Sequence, residues 1–90
     1  SLPATFALDQ NYPNPFNPST TISYAVPQAS VVRLSVYNTL GQEVVTLVNG
    51  FEEAGYKSVR FDGGAVPSGA YFYRLQAGRF TETKKFLLLK

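Results

Sequence analysis

Val31-Val32-Arg33-Leu34-Ser35-Val36-Tyr37-Asn38 runs through Thr39-Leu40-Gly41 into Gln42-Glu43-Val44-Val45-Thr46-Leu47-Val48. In the first run Val32, Leu34 and Val36 share one parity, and Arg33, Ser35 and Tyr37 the other. Successive side chains of a strand point to opposite faces, so the all-aliphatic set is the core face. Asn38-Thr39-Leu40-Gly41 suits a type I turn followed by a residue of positive φ, which Gly41 supplies in a G1 bulge. The stretch reads as strand, tight reversal, strand.

The same period of two, broken at short intervals by Gly, Pro and Asn, extends along the chain, and no segment sustains a helical repeat. Expected strands are Phe6–Leu8, Thr20–Val26, Val31–Asn38, Gln42–Val48, Tyr56–Asp62, Ala70–Gln76 and Arg79–Leu89. Parity buries Ile22, Tyr24 and Val26, and Val59 with Phe61; in the run from Tyr71 it sets Tyr71, Tyr73 and Leu75 against Phe72 and Arg74, two largely apolar faces between which alternation does not choose. Asn49-Gly50 and Ala77-Gly78 are expected turns, the second joining the last two strands. Glu52-Glu53 is also expected in a turn, and the loop Asp62 to Gly69 is expected to cross between layers. Seven short strands in 90 residues fit an all-β, seven-stranded immunoglobulin-like antiparallel β-sandwich.

Composition narrows function. There is no His and no Cys, which removes Ser-His and Cys-His nucleophilic pairs, disulfides and thiolate or imidazole metal sites. Asp9, Glu43, Glu52, Glu53, Asp62 and Glu82 are the only acids, and none is spaced for paired acid–base work, so no enzyme and no cofactor is expected. Asp62-Gly63-Gly64 is too poor in oxygen ligands for a calcium loop, and Gly63 to Gly69 lacks the Lys-Ser or Lys-Thr of a phosphate loop. The longest apolar run, Phe86 to Leu89, is far too short for a membrane span. Net charge is only +2 but uneven: from Arg74 onward five cations face one acid, a local +4, while the rest is −2. That imbalance, without a reader motif, points to no nucleic-acid partner.

Three segments carry most of the remaining information. In Asn11-Tyr12-Pro13-Asn14-Pro15-Phe16-Asn17-Pro18, the prolines remove ladder donors and push their predecessors to extended geometry, so this is no central strand. Its Asn side chains can bond the nearby backbone, and Tyr12 and Phe16 are expected to plug one end of the sandwich. Pro67-Ser68-Gly69-Ala70-Tyr71 pairs a stiff residue with a permissive glycine and a tyrosine whose hydroxyl can return to its own loop. Gly78 to Lys90 ends in Lys84-Lys85-Phe86-Leu87-Leu88-Leu89-Lys90, where alternation leaves neither face clean and sets an apolar strip beside fixed positive charge, a candidate docking element.

In that order and spacing, over about residues 6–90, the segments resemble the type A C-terminal sorting domain of the type IX secretion system. The resemblance implies an address label carried by exported bacterial proteins. Its partners would be a covalently attached N-terminal cargo domain, an outer-membrane translocon and a sortase-like peptidase. The cargo would pass through the periplasm in transit and end on the cell surface (outer membrane) or be secreted. Residues 1–8 would be a linker or first edge strand after the cargo, with any scissile bond near or before Ser1 to Leu8, and 9–90 the sorting domain. The absence of an initiator Met and of any N-terminal signal fits a piece of a longer precursor. Recognition candidates are Pro67, Gly69, Tyr71, Gly78, Thr83, Lys84, Lys85 and Lys90; Asn11, Pro13, Asn14, Pro15, Asn17, Pro18 and Gly41 form the structural motif. The alternative is a passive accessory module, a spacer or a carbohydrate binder; lack of Trp weighs against sugar platforms, although six Tyr leave them open.

Overall fold

The computed structural model describes residues 2–90. It contains seven strands: β1 (Ala7–Leu8), β2 (Ser19–Val26), β3 (Ser30–Tyr37), β4 (Glu43–Glu52), β5 (Gly55–Asp62), β6 (Gly69–Ala77) and β7 (Phe80–Leu88). They form two antiparallel sheets, ordered β1-β2-β5 and β4-β3-β6-β7, packed as an open sandwich of the immunoglobulin-like kind. The chain changes sheet between β2 and β3, between β4 and β5, and along the loop between β5 and β6.

Parity placed the core correctly. Ile22, Tyr24, Val26, Val32, Leu34, Val36 and Phe61 are all buried, while Val59 packs at the margin; in β6, where parity left two apolar faces, Tyr71, Tyr73 and Leu75 are the buried set, and Leu8, Phe16, Phe86 and Leu88 complete the core. Each large apolar side chain taken from water contributes roughly 1.5–3 kcal/mol, which in so small a chain is most of what opposes unfolding entropy.

The β3–β4 hairpin closes as expected. Gly41 N–H donates to Asn38 O (3.0 Å), Asn38 N–H to Gln42 O (3.0 Å), and Gly41 has φ +82°. The Asn38 carboxamide oxygen also accepts from Leu40 and Gln42 N–H, both at 3.0 Å. Gly78, at φ +59°, opens the two-residue turn between paired Ala77 and Phe80.

Two expected turns move. Asn49-Gly50 lies inside β4, opposite Arg33 and Val32, and pairing continues to Val31↔Phe51 and Ser30↔Glu52. The long partner strand supplies ladder bonds for these residues, and that outweighs the local Asn-Gly preference. Reversal waits until Glu53-Ala54, so Glu52 ends a strand, and β4 and β5 join different sheets. Arg79 belongs to the turn preceding β7, and Leu89 lies beyond the strand. Edge strand β4 carries two register shifts, which leave Val44 and Leu47 as extra residues packed on the core margin. Such bulges twist an edge away from further pairing.

Gly41→Ala is expected to cost about 1–2 kcal/mol, because the conformation disfavours any Cβ although nothing lies within 4 Å of it. Gly50→Ala, in extended backbone with equal space, should be neutral or slightly stabilising. Urea denaturation of both variants tests the contrast; equal losses would restore Gly50 to a turn.

Candidate functional site

The Asn/Pro segment, the β5–β6 loop and the end of β7, distant in sequence, meet at one end of the sandwich. β7 is an edge strand of its sheet, so the outer side of its backbone needs partners. The Asn/Pro segment supplies them. Phe16 N–H donates to Leu87 O (3.1 Å), Leu89 N–H to Phe16 O (3.0 Å), Leu87 N–H to the Asn14 side-chain oxygen (3.0 Å), and the Gln10 side chain to Lys85 O (2.7 Å). Phe16, with Asn17 separating it from Pro18, is therefore the residue of the proline-rich run that forms a bridge to Leu88. The Tyr12-Pro13, Asn14-Pro15 and Asn17-Pro18 bonds are cis.

Asn11 holds the segment to the core. It is buried; its N–H donates to Tyr73 Oη (2.8 Å), and its carboxamide nitrogen to Pro13 O (3.1 Å) and Thr20 Oγ1 (3.0 Å). Thr20 Oγ1 in turn donates to Pro13 O (2.8 Å), and Tyr73 Oη to Asp9 O (2.7 Å). Every polar group in this knot has a partner, the condition under which a buried network stabilises. Burial is the chief cause that pushes the Tyr73 hydroxyl up to about 12. Burial, and then the Glu52 carboxylate that accepts its hydrogen bond, also raises Tyr24. Tyr12 does not plug the sandwich: its bridge to Thr21 sets it on the solvent parity, 81% exposed, and Phe16 alone fills that role.

The β5–β6 loop closes the same end. Tyr71 Oη donates to Pro67 O (2.6 Å), the return contact expected of this motif. Gly69 starts β6 at φ +151° opposite Leu88. Lys90 donates from its N–H to Ser68 Oγ (3.0 Å) and from its ammonium to Gly64 O (2.8 Å). Gly63 N–H donates to Pro18 O (2.7 Å), and a Cβ on Gly63 would stand 2.8 Å from Leu88 Cδ2.

Phe86 is the common neighbour. Its ring centroid lies 4.9 Å from Phe16, 5.6 Å from Phe61, 5.6 Å from Tyr71 and 5.8 Å from Tyr73. Edge-on, tilted and stacked geometries of this kind add to simple burial. Among the sequence candidates, Asn11, Pro13, Asn14, Pro18, Pro67, Gly69, Tyr71 and Lys90 are thus brought together. Pro15 and Asn17 are exposed on the segment. Gly78 sits at the far end of β6 and β7, and Gly41 in the β3–β4 hairpin. Thr83 and Lys85 point outward from the four-stranded sheet opposite Arg74 and Phe72; Lys84, of inward parity, reaches the Glu82 carboxylate at 3.2 Å. Phe86 and Gly63 were not singled out by sequence. Phe86 lay within an apolar run whose parity was ambiguous, and the Gly63 requirement comes from Leu88, distant in sequence.

Tyr73→Phe should lose about 1–3 kcal/mol, since it strands Asp9 O and Asn11 N–H. A hydroxyl whose folded pKa is raised stabilises fully below its unfolded pKa, near 10, and loses that contribution as pH rises through the folded one, about 12 for Tyr73. Urea midpoints should therefore hold up to about pH 10 and fall above it, with a shallower fall in Tyr73→Phe; identical slopes would reject the buried-hydroxyl account.

Residues 10–89 match a family model described as the secretion system C-terminal sorting domain. No curated protein and no solved structure matches the chain. The match spans all three converging segments, and the chain belongs to the type IX secretion C-terminal sorting domain family.

Proposed function

We propose that the folded sandwich, and not a linear tail, is what the type IX apparatus reads. Membership of the family already makes the domain a sorting signal and implies export to the cell surface or beyond. The finer reading is a relay: the domain folds in the periplasm, an outer-membrane translocon recognises it, a sortase-like peptidase removes it, and the cargo is surface-attached or released. The single observation that carries the folded-state reading is the convergence of the three signature segments on Phe86 and Leu88. On the outward side of the same strand Lys85 and Leu87 remain exposed, as does Leu89 just beyond it. One strand therefore anchors the fold through one face and offers charge and apolar surface through the other.

A scissile bond suits the stretch before Phe6. Phe6 stacks on Phe80 at 5.4 Å, and Leu8 is in the core, so cutting between them would require prior opening. Ser1, within the span where cleavage is expected, lies outside the described residues.

Fused to a reporter bearing an inner-membrane export signal, residues 2–90 should carry it to the surface or medium of a host with a compatible type IX apparatus. Removing Phe86 to Lys90 cannot discriminate, because it deletes the aromatic hub. Lys84→Gln with Lys85→Gln can: the Lys84–Glu82 pair is partly exposed and worth no more than about 1 kcal/mol, so folding should survive while export falls several-fold. Export at wild-type level would remove these lysines from recognition. A folded, intact fusion retained in the periplasm of a competent host would support the accessory-module reading instead.

A further inference from the structure

The outer face of the four-stranded sheet holds a cleft of about 250 Å³ between the β3–β4 hairpin and strands β6 and β7, lined by Tyr37, Asn38, Gly41, Phe72, Arg74 and Thr83. Its cation is held but not neutralised. The Arg74 guanidinium lies 4.7 Å from the Tyr37 ring centroid, and Nη2 donates to Tyr37 Oη at 2.8 Å. Arg74 Nε is buried and has no acceptor among the described residues.

Cross-strand neighbours offer no carboxylate: Arg74 lies between Ser35 and Thr83. The acid of the adjoining row, Glu43 opposite Tyr37, is engaged by Arg33 and Thr46. A second cation, Lys85, sits opposite Phe72 on this face, and Leu87 follows in the next row opposite Ala70. Buried donors without acceptors are rare, and a planar guanidinium braced by an aromatic ring is suited to a carboxylate.

We infer that this cleft receives an aspartate or glutamate side chain of a partner polypeptide, with Arg74 as its counter-ion, Lys85 adding attraction and the Leu87 strip taking the flanking apolar residues. The inference rests on the reading that the folded domain is recognised by a protein of the export route, and it names the chemistry of that contact. Apolar surface beside two cations fits an acidic, leucine-bearing segment better than a glycan, whose hydroxyls would leave the strip uncovered.

The test is ¹⁵N NMR titration of the chain with the peptide acetyl-Leu-Glu-Leu-Asp-Leu-amide, its Gln/Asn analogue, and glucuronate. The acidic peptide should shift Tyr37, Phe72, Arg74 and Thr83 amides, bind at least about tenfold more tightly than the analogue, and weaken with salt. Arg74→Gln should lower that affinity at least about tenfold, and Arg74→Lys, which keeps charge but not the planar fork, by less. Thermal melts of both variants establish that each is folded, the lysine variant serving if glutamine unfolds the chain. Absent or scattered shifts, or shifts indifferent to Arg74, would overturn the site. Glucuronate binding as tightly as the peptide would overturn the polypeptide assignment in favour of an acidic sugar. In the reporter fusion, folded Arg74→Gln should be exported several-fold less; undiminished export would sever the cleft from secretion. If the wild-type fusion itself stays behind, the sorting relay fails, and the titration still decides the cleft.

Discussion

The pairing of Phe16 with the end of β7 is the contact on which the architecture turns. An edge strand with open N–H and C=O groups invites pairing with another chain, and a strand laid fully along it would only move the edge outward. A proline-rich segment avoids this. Phe16 N–H and O, with the Asn14 carboxamide, take up Leu87 O, Leu89 N–H and Leu87 N–H. Prolines then leave few donors facing solvent for a further strand. The contact joins Asn14 to a residue 73 positions away, a closure that is entropically expensive. The Phe16 ring on Phe86 and the satisfied Asn11–Thr20–Pro13 knot offset it.

This arrangement also assigns work to the loop glycines. Gly63 is small because Leu88 and Pro18 O occupy the space a Cβ would need, whereas Gly41 has open space and is needed for its backbone angle alone. The two cases call for different explanations. The first reports tertiary packing between the loop and β7, the second the backbone angle that a local hairpin turn requires.

That distinction measures what was legible in the sequence. Val32, Leu34 and Val36, the Gly41 turn and the Tyr71 hydroxyl return were readable because each rests on neighbours within a few residues. Asn49-Gly50 misled because a sound local turn signal met a partner strand long enough to pair through it. Tyr12 misled because a single bridge to Thr21 fixes its parity, and nothing in the Asn/Pro run reveals which strand it will touch. The three motifs were each recognisable, and the family was legible from them. Their meeting around Phe86 was not, since it depends on how the sheets are ordered. The Arg74 cleft was hidden for the same reason: Tyr37, Arg74 and Thr83 come from three strands.

Convergence has an energetic consequence for a signal of this design. Loss of a buried aromatic side chain costs about 3–5 kcal/mol, a large share of the roughly 5–10 kcal/mol that hold a domain of this size. The strand that presents Lys85 and Leu87 outward is the strand that buries Phe86 and Leu88 inward, so disturbing the inner face also removes the geometry of the outer one. Under the proposed reading, the outward residues are in register only after the Asn/Pro segment and the β5–β6 loop have docked. An unfolded or half-folded passenger would then display the same amino acids without the surface, and a partner that binds the surface could discriminate by fold without reading any additional residue.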